Sequence, residues 1–252
     1  MKLNVGTSGY SYKGWKGSFY PERIPAKEML GFYASRLLAV EINNTFYRMP
    51  KVGVLETWAG QVPADFRFAI KASRRITHFK RLKDVGDEIG FLLQTTQALG
   101  DRLGVLLFQL PPNLPCDLPR LEAFLELLPA GTSAAFEFRH ASWSDVAVHE
   151  LLRRRDCALV AVDAEDVESA ELVATASWGY LRLRRPGYNR ADLADWARRI
   201  RSQGWEEAFV FFKHEDEGAG PRLAAEFVEV AEGARPRKVP VPDDTAAGRK
   251  TG

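Results

Sequence analysis

Charged side chains recur at the ends of the apolar, strand-like segments of this 252-residue chain. Glu41 is followed two residues on by Asn43, and Glu137 is followed two residues on by Arg139. Residues two apart on a strand point to the same face of the sheet. An unpaired buried ion costs several kcal/mol, so charges on buried strands are expected to be paired. The spacing predicts one ionic network, made of Glu41, Lys71, Glu137 and Arg139.

Carboxylates set among cations suit acid–base chemistry on an anionic substrate. We predict Glu137 as general base and His140 as general acid, with Glu41 and Lys71 completing the catalytic set. Cationic side chains make strong charge-assisted hydrogen bonds to phosphate oxygens. The predicted substrate-binding residues are Ser8, Tyr10, Asn43, Tyr47, His78, Gln109, Arg139, Trp143, Asp163, Arg182, Lys213 and His214. The alternative is a purely structural ionic layer, since buried charges also occur without a function.

Several common reaction types lack their sequence signatures in this chain. It has no His-x-His or His-Glu-x-x-His pattern and no cysteine cluster, which argues against a tight zinc site. Neither a P-loop nor a Gly-x-Ser-x-Gly turn is present. We therefore expect no metal and no cofactor, although a hard-metal site built on Glu41, Glu137, Asp163 and a histidine stays open as an alternative.

The elements that must position these residues alternate between strand-like and helical patterns. Most strand-like runs are continuously apolar, as in parallel strands buried on both faces. The runs are Leu3–Ser8, Ala39–Asn43, Phe66–Lys71, Gly104–Leu110, Ala134–Phe138, Ala158–Asp163, Trp178–Leu183 and Ala208–Lys213. Helical periodicity is clearest in the segment that begins after Asp117, a residue that we predict as an N-cap.

Eight β–α units in about 230 residues predict an α/β fold of the (β/α)8 TIM-barrel type, with a closed parallel sheet. An open doubly wound sheet is the alternative, but Gly6-Thr7-Ser8-Gly9 after the first strand lacks the glycine spacing of a dinucleotide site. The sixth unit, 163–177, is acidic and poor in apolar periodicity, so we expect it to be degenerate. We predict a single barrel domain over 1–232 and a disordered tail over 233–252.

The amino-acid composition limits the class of protein and the compartment in which we expect it. The chain is 46% hydrophobic and 27% charged, which favours a folded globular protein, and its net charge of +2 gives no global argument for nucleic acid. No membrane span and no signal peptide are expected. Cys116 and Cys157 are too far apart for a metal or redox motif, which predicts two free thiols in a cytoplasmic protein. We expect a monomer.

Motifs spread along the chain carry a family resemblance. They are Gly6-Thr7-Ser8-Gly9-Tyr10-Ser11-Tyr12, Val40-Glu41-Ile42-Asn43-Asn44-Thr45-Phe46-Tyr47-Arg48, Phe68-Ala69-Ile70-Lys71, Phe108-Gln109-Leu110-Pro111-Pro112 and Glu137-Phe138-Arg139-His140-Ala141-Ser142-Trp143. In order and content the chain resembles the YecE-like family, number 72 in the series of domains of unknown function. The resemblance implies a TIM barrel and no particular activity. Many relatives have an Asn-Asn pair after the eighth strand, where this chain has Lys213-His214.

Two classes of function follow. The first is an enzyme acting on a phosphate-bearing substrate, by isomerisation or lysis of a sugar phosphate or, by analogy with barrel-fold repair endonucleases, by phosphodiester cleavage. The second is a non-catalytic nucleic-acid-binding module. It would use a basic tail (Arg235, Arg237, Lys238, Arg249 and Lys250) and the first-loop aromatic residues Tyr10, Tyr12, Trp15, Phe19 and Tyr20. Those aromatic residues are equally compatible with a packed lid.

Overall fold

The computed structural model describes residues 1–165, 171–214 and 218–233, and it contains a closed barrel of eight parallel strands. The strands are β1 (Lys2–Ser8), β2 (Ala39–Ile42), β3 (Arg67–Lys71), β4 (Leu103–Gln109), β5 (Ala134–Glu137), β6 (Ala158–Asp163), β7 (Trp178–Leu183) and β8 (Glu207–Phe212). Each pairs with its neighbours in sequence, and β8 closes the barrel on β1. The predicted TIM barrel is confirmed, and every strand lies within one residue of its predicted bounds.

Helices cover the outside of the barrel. They are α1 (Met29–Ala34), α2 (Val52–Gln61), α3 (Gly86–Thr96), α4 (Leu118–Glu126), α5 (Val146–Arg154), α6 (Arg190–Arg201) and α7 (Ala219–Glu232). The carboxylate of Asp117 accepts a hydrogen bond from the backbone N–H of Arg120, which confirms the predicted N-cap of α4. Between β6 and β7 the described residues contain no helix, consistent with the expected degenerate unit, although 166–170 lie outside the description.

Side chains of unequal size fill the barrel interior. Large rings come from neighbouring strands β7 and β8, with Tyr180 and Phe211 fully buried. Small residues face them from β1 and β2, where Gly6 and Ala39 leave room. A Cβ atom on Gly6 would lie 1.8 Å from the backbone oxygen of Ala39, so this position accepts only glycine. The barrel is therefore a packed core rather than a pore, and Ser8, Glu41 and Arg182 come later along their strands than these residues.

Both cysteines carry free thiols, as predicted. No helix in the described part of the chain is long and apolar enough to cross a membrane. The predicted disordered tail lies, from residue 234 onward, outside the described residues.

Candidate functional site

The inner face of the barrel carries a layer of polar side chains where the strands end. Ser8 and Glu41 are aligned on neighbouring strands β1 and β2, and Gln109 and Glu137 are aligned on β4 and β5. Lys71 ends β3, and Arg182 lies next to last on β7. All six side chains are buried. The carboxyl ends of the strands form the face on which TIM-barrel enzymes build their active sites.

Glu41 is the most heavily hydrogen-bonded carboxylate of this layer. Its Oε1 accepts from Ser8 Oγ at 2.7 Å, from Asn43 Nδ2 at 2.8 Å and from Arg182 Nη2 at 2.9 Å. Its Oε2 accepts from the Tyr180 hydroxyl at 2.7 Å. Burial alone would raise the pKa of Glu41, but Arg182 and these donors hold the pKa at about 2. Glu41 is therefore a permanent anion at neutral pH.

Arg182 joins the two buried carboxylates. Its Nη1 donates to Glu137 Oε2 at 2.6 Å, while Nη2 donates to Glu41. Burial disfavours its charge, yet the two carboxylates raise the pKa of the guanidinium above its ordinary value. Arg182, and not Arg139 as the sequence spacing suggested, is the cation that links the carboxylates. Arg139 is exposed and lies beyond the end of β5, so the strand alternation no longer directs it inward.

Lys71 lies at the outer edge of the network. Its Nζ donates to Gln109 Oε1 at 2.7 Å, and Gln109 Nε2 donates to Glu137 Oε1 at 2.7 Å. The ammonium also lies 4.5 Å from the centre of the Phe46 ring. Burial and the positive charge of Arg182 lower the pKa of Lys71 to about 8, against the opposite pull of the two carboxylates. Its ammonium can therefore lose a proton close to neutral pH.

More cations surround Lys71. Burial, followed by the charges of Lys71 and Arg139, lowers the pKa of His78. The charge of Lys213 also contributes to lowering the pKa of Lys71. Four cationic or titratable side chains thus act electrostatically on one region: Lys71 and His78 from β3 and its loop, Arg139 after β5 and Lys213 after β8.

Comparisons with known proteins support the same fold. A family described as "Protein of unknown function DUF72" matches residues 4–246. The chain belongs to this family. The resemblance to YecE-like proteins is thereby confirmed, and the DUF72 match extends beyond the barrel boundary predicted at residue 232.

Individual relatives show how far the likeness extends. The UPF0759 protein YecE of Escherichia coli K12 is 31% identical over 144 residues, which are 55% of this chain and 53% of that protein. The chain thus matches about half the length of this relative. A DUF72 protein of Thermotoga maritima is 25% identical, with a TM-score of 0.77 over 92% of this chain and 100% of the other. A DUF72 protein of Enterococcus faecalis V583, 20% identical, has a TM-score of 0.76 over 91% of this chain and 95% of the other, which supports the fold alone.

Several predicted site residues of this DUF72 chain lie apart from the network. His140 Nδ1 lies 2.8 Å from Ser142 Oγ and accepts from the Ser142 backbone N–H, so the imidazole caps a short 3-10 helix over Ala141–Trp143. Trp143 is buried, stacks on Phe138 at 4.4 Å and donates to the Leu114 backbone oxygen, a packing role. No described hydrogen bond joins His140 to Glu137, so the predicted acid–base pair stays a prediction.

A second, smaller polar group follows β6 and β7. Asp163 Oδ2 accepts from the Tyr188 hydroxyl at 2.6 Å and from Trp196 Nε1 at 3.2 Å. His214 Nε2 lies 2.9 Å from the Arg185 backbone oxygen. Asp163 and His214 thus hold the loops after β6, β7 and β8 together, and the hydrogen bonds described do not connect them to Glu41 or Glu137.

The first-loop aromatic residues form a packed lid rather than an open stacking surface. Trp15 and Tyr20 are only 1% and 2% exposed, and their rings lie 6.2 Å apart. The Tyr20 hydroxyl donates to the backbone oxygen of Tyr10, and the Tyr12 hydroxyl donates to that of Ser8. Tyr10 is half-buried, with its ring 6.2 Å from Tyr33.

Tyr180 is the one member of the network that the sequence analysis missed. It lies in the middle of an apolar run and looks like a core residue, and its ring does pack against Phe211. Tyr180 and Arg182 are two apart on β7, so strand alternation places both on the inner face.

Among the described residues no group of three His, Cys, Asp or Glu side chains is arranged to hold a metal ion. Arg182 occupies the space between Glu41 and Glu137 that the hard-metal alternative required.

Proposed function

We propose that this DUF72 protein is an enzyme that acts on a phosphate-bearing substrate at the carboxyl-end face of the barrel, with Lys71 as its central group. The observation that carries the proposal is the position and pKa of Lys71. Its ammonium has three N–H donors and gives one to Gln109, at the edge of a buried ionic network. A pKa of about 8 allows the same group to bind an anion and to exchange a proton.

The charge balance of the site supports an anionic substrate. Within the network, the two carboxylates of Glu41 and Glu137 are balanced by Arg182 and Lys71. Lys213 adds positive charge near Lys71 and Arg139 adds it near His78, and among the residues that the structure describes neither forms an ion pair with a carboxylate. A partly desolvated site with excess positive charge attracts anions and strengthens their binding.

The geometry suggests separate tasks for the network members. Arg182 donates one hydrogen bond to Glu41, and Glu41 accepts others from Ser8 and Tyr180, so this part of the network is rigid. Gln109 couples Lys71 to Glu137 through its amide, donating on one side and accepting on the other. When Lys71 gives a proton to the substrate, the change in charge would thus reach Glu137 through Gln109. Lys71 and Glu137 are therefore placed to act as a pair in proton transfer during isomerisation, lysis or phosphodiester cleavage.

A thermal-unfolding screen tests this proposal. The panel holds sugar phosphates, nucleoside monophosphates and inorganic phosphate, against wild type, Lys71→Met and a control, Lys27→Met, which removes an exposed lysine. A ligand at about 100 times its Kd adds about 2.7 kcal/mol to the free energy of unfolding, or about 5–10 °C in Tm. We expect at least one phosphate compound to shift wild type and Lys27→Met equally and Lys71→Met far less.

The proposal is wrong if no phosphate compound shifts wild type, or if the shift in Lys71→Met equals that of the control. A Lys71→Arg variant separates charge from proton transfer. We expect it to retain most of the ligand-induced shift but to lose turnover of the identified compound, because a guanidinium does not deprotonate near neutral pH.

A further inference from the structure

An exposed aromatic and cationic surface lies beside the network, on the loops that follow β2 and β3. We call it the loop platform and define it as Phe46, Tyr47, Arg74, His78 and Phe79. Tyr47 and Phe79 are each 67% exposed, although aromatic rings contribute stability mainly when buried. The Arg74 guanidinium carbon lies 5.5 Å from the Tyr47 ring centre and 5.2 Å from the Phe79 ring centre. The cation thus lies between two solvent-facing rings.

The backbone of this region is unusual for a simple connection. A single π-helical turn spans Arg75–Phe79, and it buries Ile76 and Thr77 while it exposes Phe79. Just beyond it, Arg81 and Leu82 have φ angles of 51° and 69°, which non-glycine residues seldom adopt. Single π turns and strained non-glycine residues concentrate at functional sites. The π-helical turn that exposes Phe79 is therefore a backbone conformation that an ordinary connection between a strand and a helix does not require.

Positive charge is concentrated around the rings. The segment 74–83 contains five lysine or arginine residues and His78 and has no acidic residue. Glu88 pairs with two of these cations, Arg75 and Lys80. The remaining three, Arg74, Arg81 and Lys83, form no ion pair with any carboxylate that the structure describes. Exposed rings flanked by unpaired cations match the chemistry of a strand with unstacked bases and a phosphate backbone.

The loop platform is continuous with the network. The Phe46 ring lies 4.5 Å from Lys71 Nζ on one side and packs edge-on against His78 at 4.8 Å on another. Phe46 also contacts Tyr47 edge-on at 5.1 Å. Thr45 fixes this loop to β3, because its hydroxyl donates to the Lys71 backbone oxygen at 2.7 Å. A molecule lying on the exposed rings would therefore reach the Lys71 site.

From these contacts we infer that the loop platform binds single-stranded nucleic acid, with bases stacked on Tyr47 and Phe79. Phosphates would be held by Arg74 and by Arg81 and Lys83, which follow the platform in sequence. The inference rests on the proposed function, because it names the class of substrate whose phosphate enters the Lys71 site. It places the stacking residues on the second and third loops. The first-loop rings, considered for this role from sequence, are already packed against one another.

Fluorescence anisotropy with a labelled oligothymidylate of about ten nucleotides, within the usual range of single-strand sites, tests the inference. The variants are Tyr47→Ala and Phe79→Ala, with Phe91→Ala as control, since Phe91 is an exposed phenylalanine on α3 outside the loop platform. Each platform variant should weaken binding by about five- to a hundredfold, the range typical of one lost base–aromatic stack, and Phe91→Ala should not. Arg74→Ala should lower the slope of log affinity against log salt by about 0.7, as for one phosphate contact on a single strand.

Three results would overturn the inference. They are no binding of the oligonucleotide by wild type at low salt, equal binding by Phe79→Ala and Phe91→Ala, and equal binding of a duplex, whose stacked bases cannot lie on the rings.

A phosphate monoester, tested by thermal shift, separates this inference from the proposed function. If the monoester protects wild type but not Lys71→Met while the oligonucleotide does not bind, only the nucleic-acid inference fails. If oligonucleotide binding depends on Phe79 while Lys71→Met alters neither probe, the inference stands and the Lys71 proposal fails.

Discussion

Replacing Glu41 by glutamine tests whether the network is held by charge. The substitution keeps the shape of the side chain but removes the anion that accepts from Ser8, Asn43, Tyr180 and Arg182. In the folded protein the pKa of Glu41 is about 2, against an ordinary value of 4.5. This difference corresponds to about 3 kcal/mol in favour of the folded state. For a domain of this size, a loss of about 3 kcal/mol lowers Tm by about 6–12 °C.

The pH dependence of this loss has a defined sign. The folded-state pKa is lower than the unfolded-state pKa, so the stabilisation is complete above about pH 5 and is lost as the pH falls towards 2. The difference in free energy of unfolding between wild type and Glu41→Gln should therefore be largest near pH 7. It should fall to less than about half of that value at pH 3.

Urea unfolding at pH 7, 5 and 3 measures this difference directly. The control is Glu126→Gln, which changes an exposed carboxylate on α4 and should alter stability by less than about 0.5 kcal/mol at each pH. If the Glu41→Gln loss had the same size at pH 3 and pH 7, the charge of Glu41 would not be its source, and hydrogen bonds or packing would account for it.

Three further predictions follow from single contacts. Tyr180→Phe removes one hydrogen bond to ionised Glu41 and should cost about 1.5–3 kcal/mol in urea unfolding; a cost near zero would mean that this bond contributes nothing. Gly6→Ala should destabilise the barrel by more than about 3 kcal/mol or prevent soluble expression, since its Cβ would overlap the Ala39 backbone oxygen at 1.8 Å. A variant with a normal Tm would contradict the register in which β1 pairs with β2. Binding of a phosphate monoester should weaken as the pH rises through about 8, where Lys71 loses its proton. If titration calorimetry shows constant affinity from pH 7 to pH 9, this ammonium does not take part in binding.

The sequence predicts the scaffold of this protein better than its contacts. Continuous apolar runs and their spacing were enough to locate all eight strands, because parallel strands of a barrel are buried on both faces. Strand alternation also placed Glu41, Lys71 and Glu137 together. It failed for Arg139, because β5 ends at Glu137 and the chain leaves the sheet before the second residue of the pair.

Other parts of the site depend on contacts between side chains that are far apart in sequence. Tyr180 binds Glu41 across 139 positions of sequence, and nothing local in an apolar run identifies its hydroxyl as part of a polar network. The first-loop aromatic residues are a similar case. Their composition suits both stacking on a ligand and packing on one another, and only the buried positions of Trp15 and Tyr20 decide for packing. The exposed ring of Phe79 depends in the same way on the π-helical turn, which no sequence periodicity predicted.

The proposed role of Lys71 is tested most directly by a crystal structure of wild-type protein with the phosphate compound that gives the largest thermal shift. We expect a phosphate group at the carboxyl-end face of the barrel, with an oxygen within hydrogen-bond distance of Lys71 Nζ and with the Glu41–Arg182–Glu137 contacts unchanged. A phosphate bound elsewhere on the barrel, with no contact to Lys71, would contradict it.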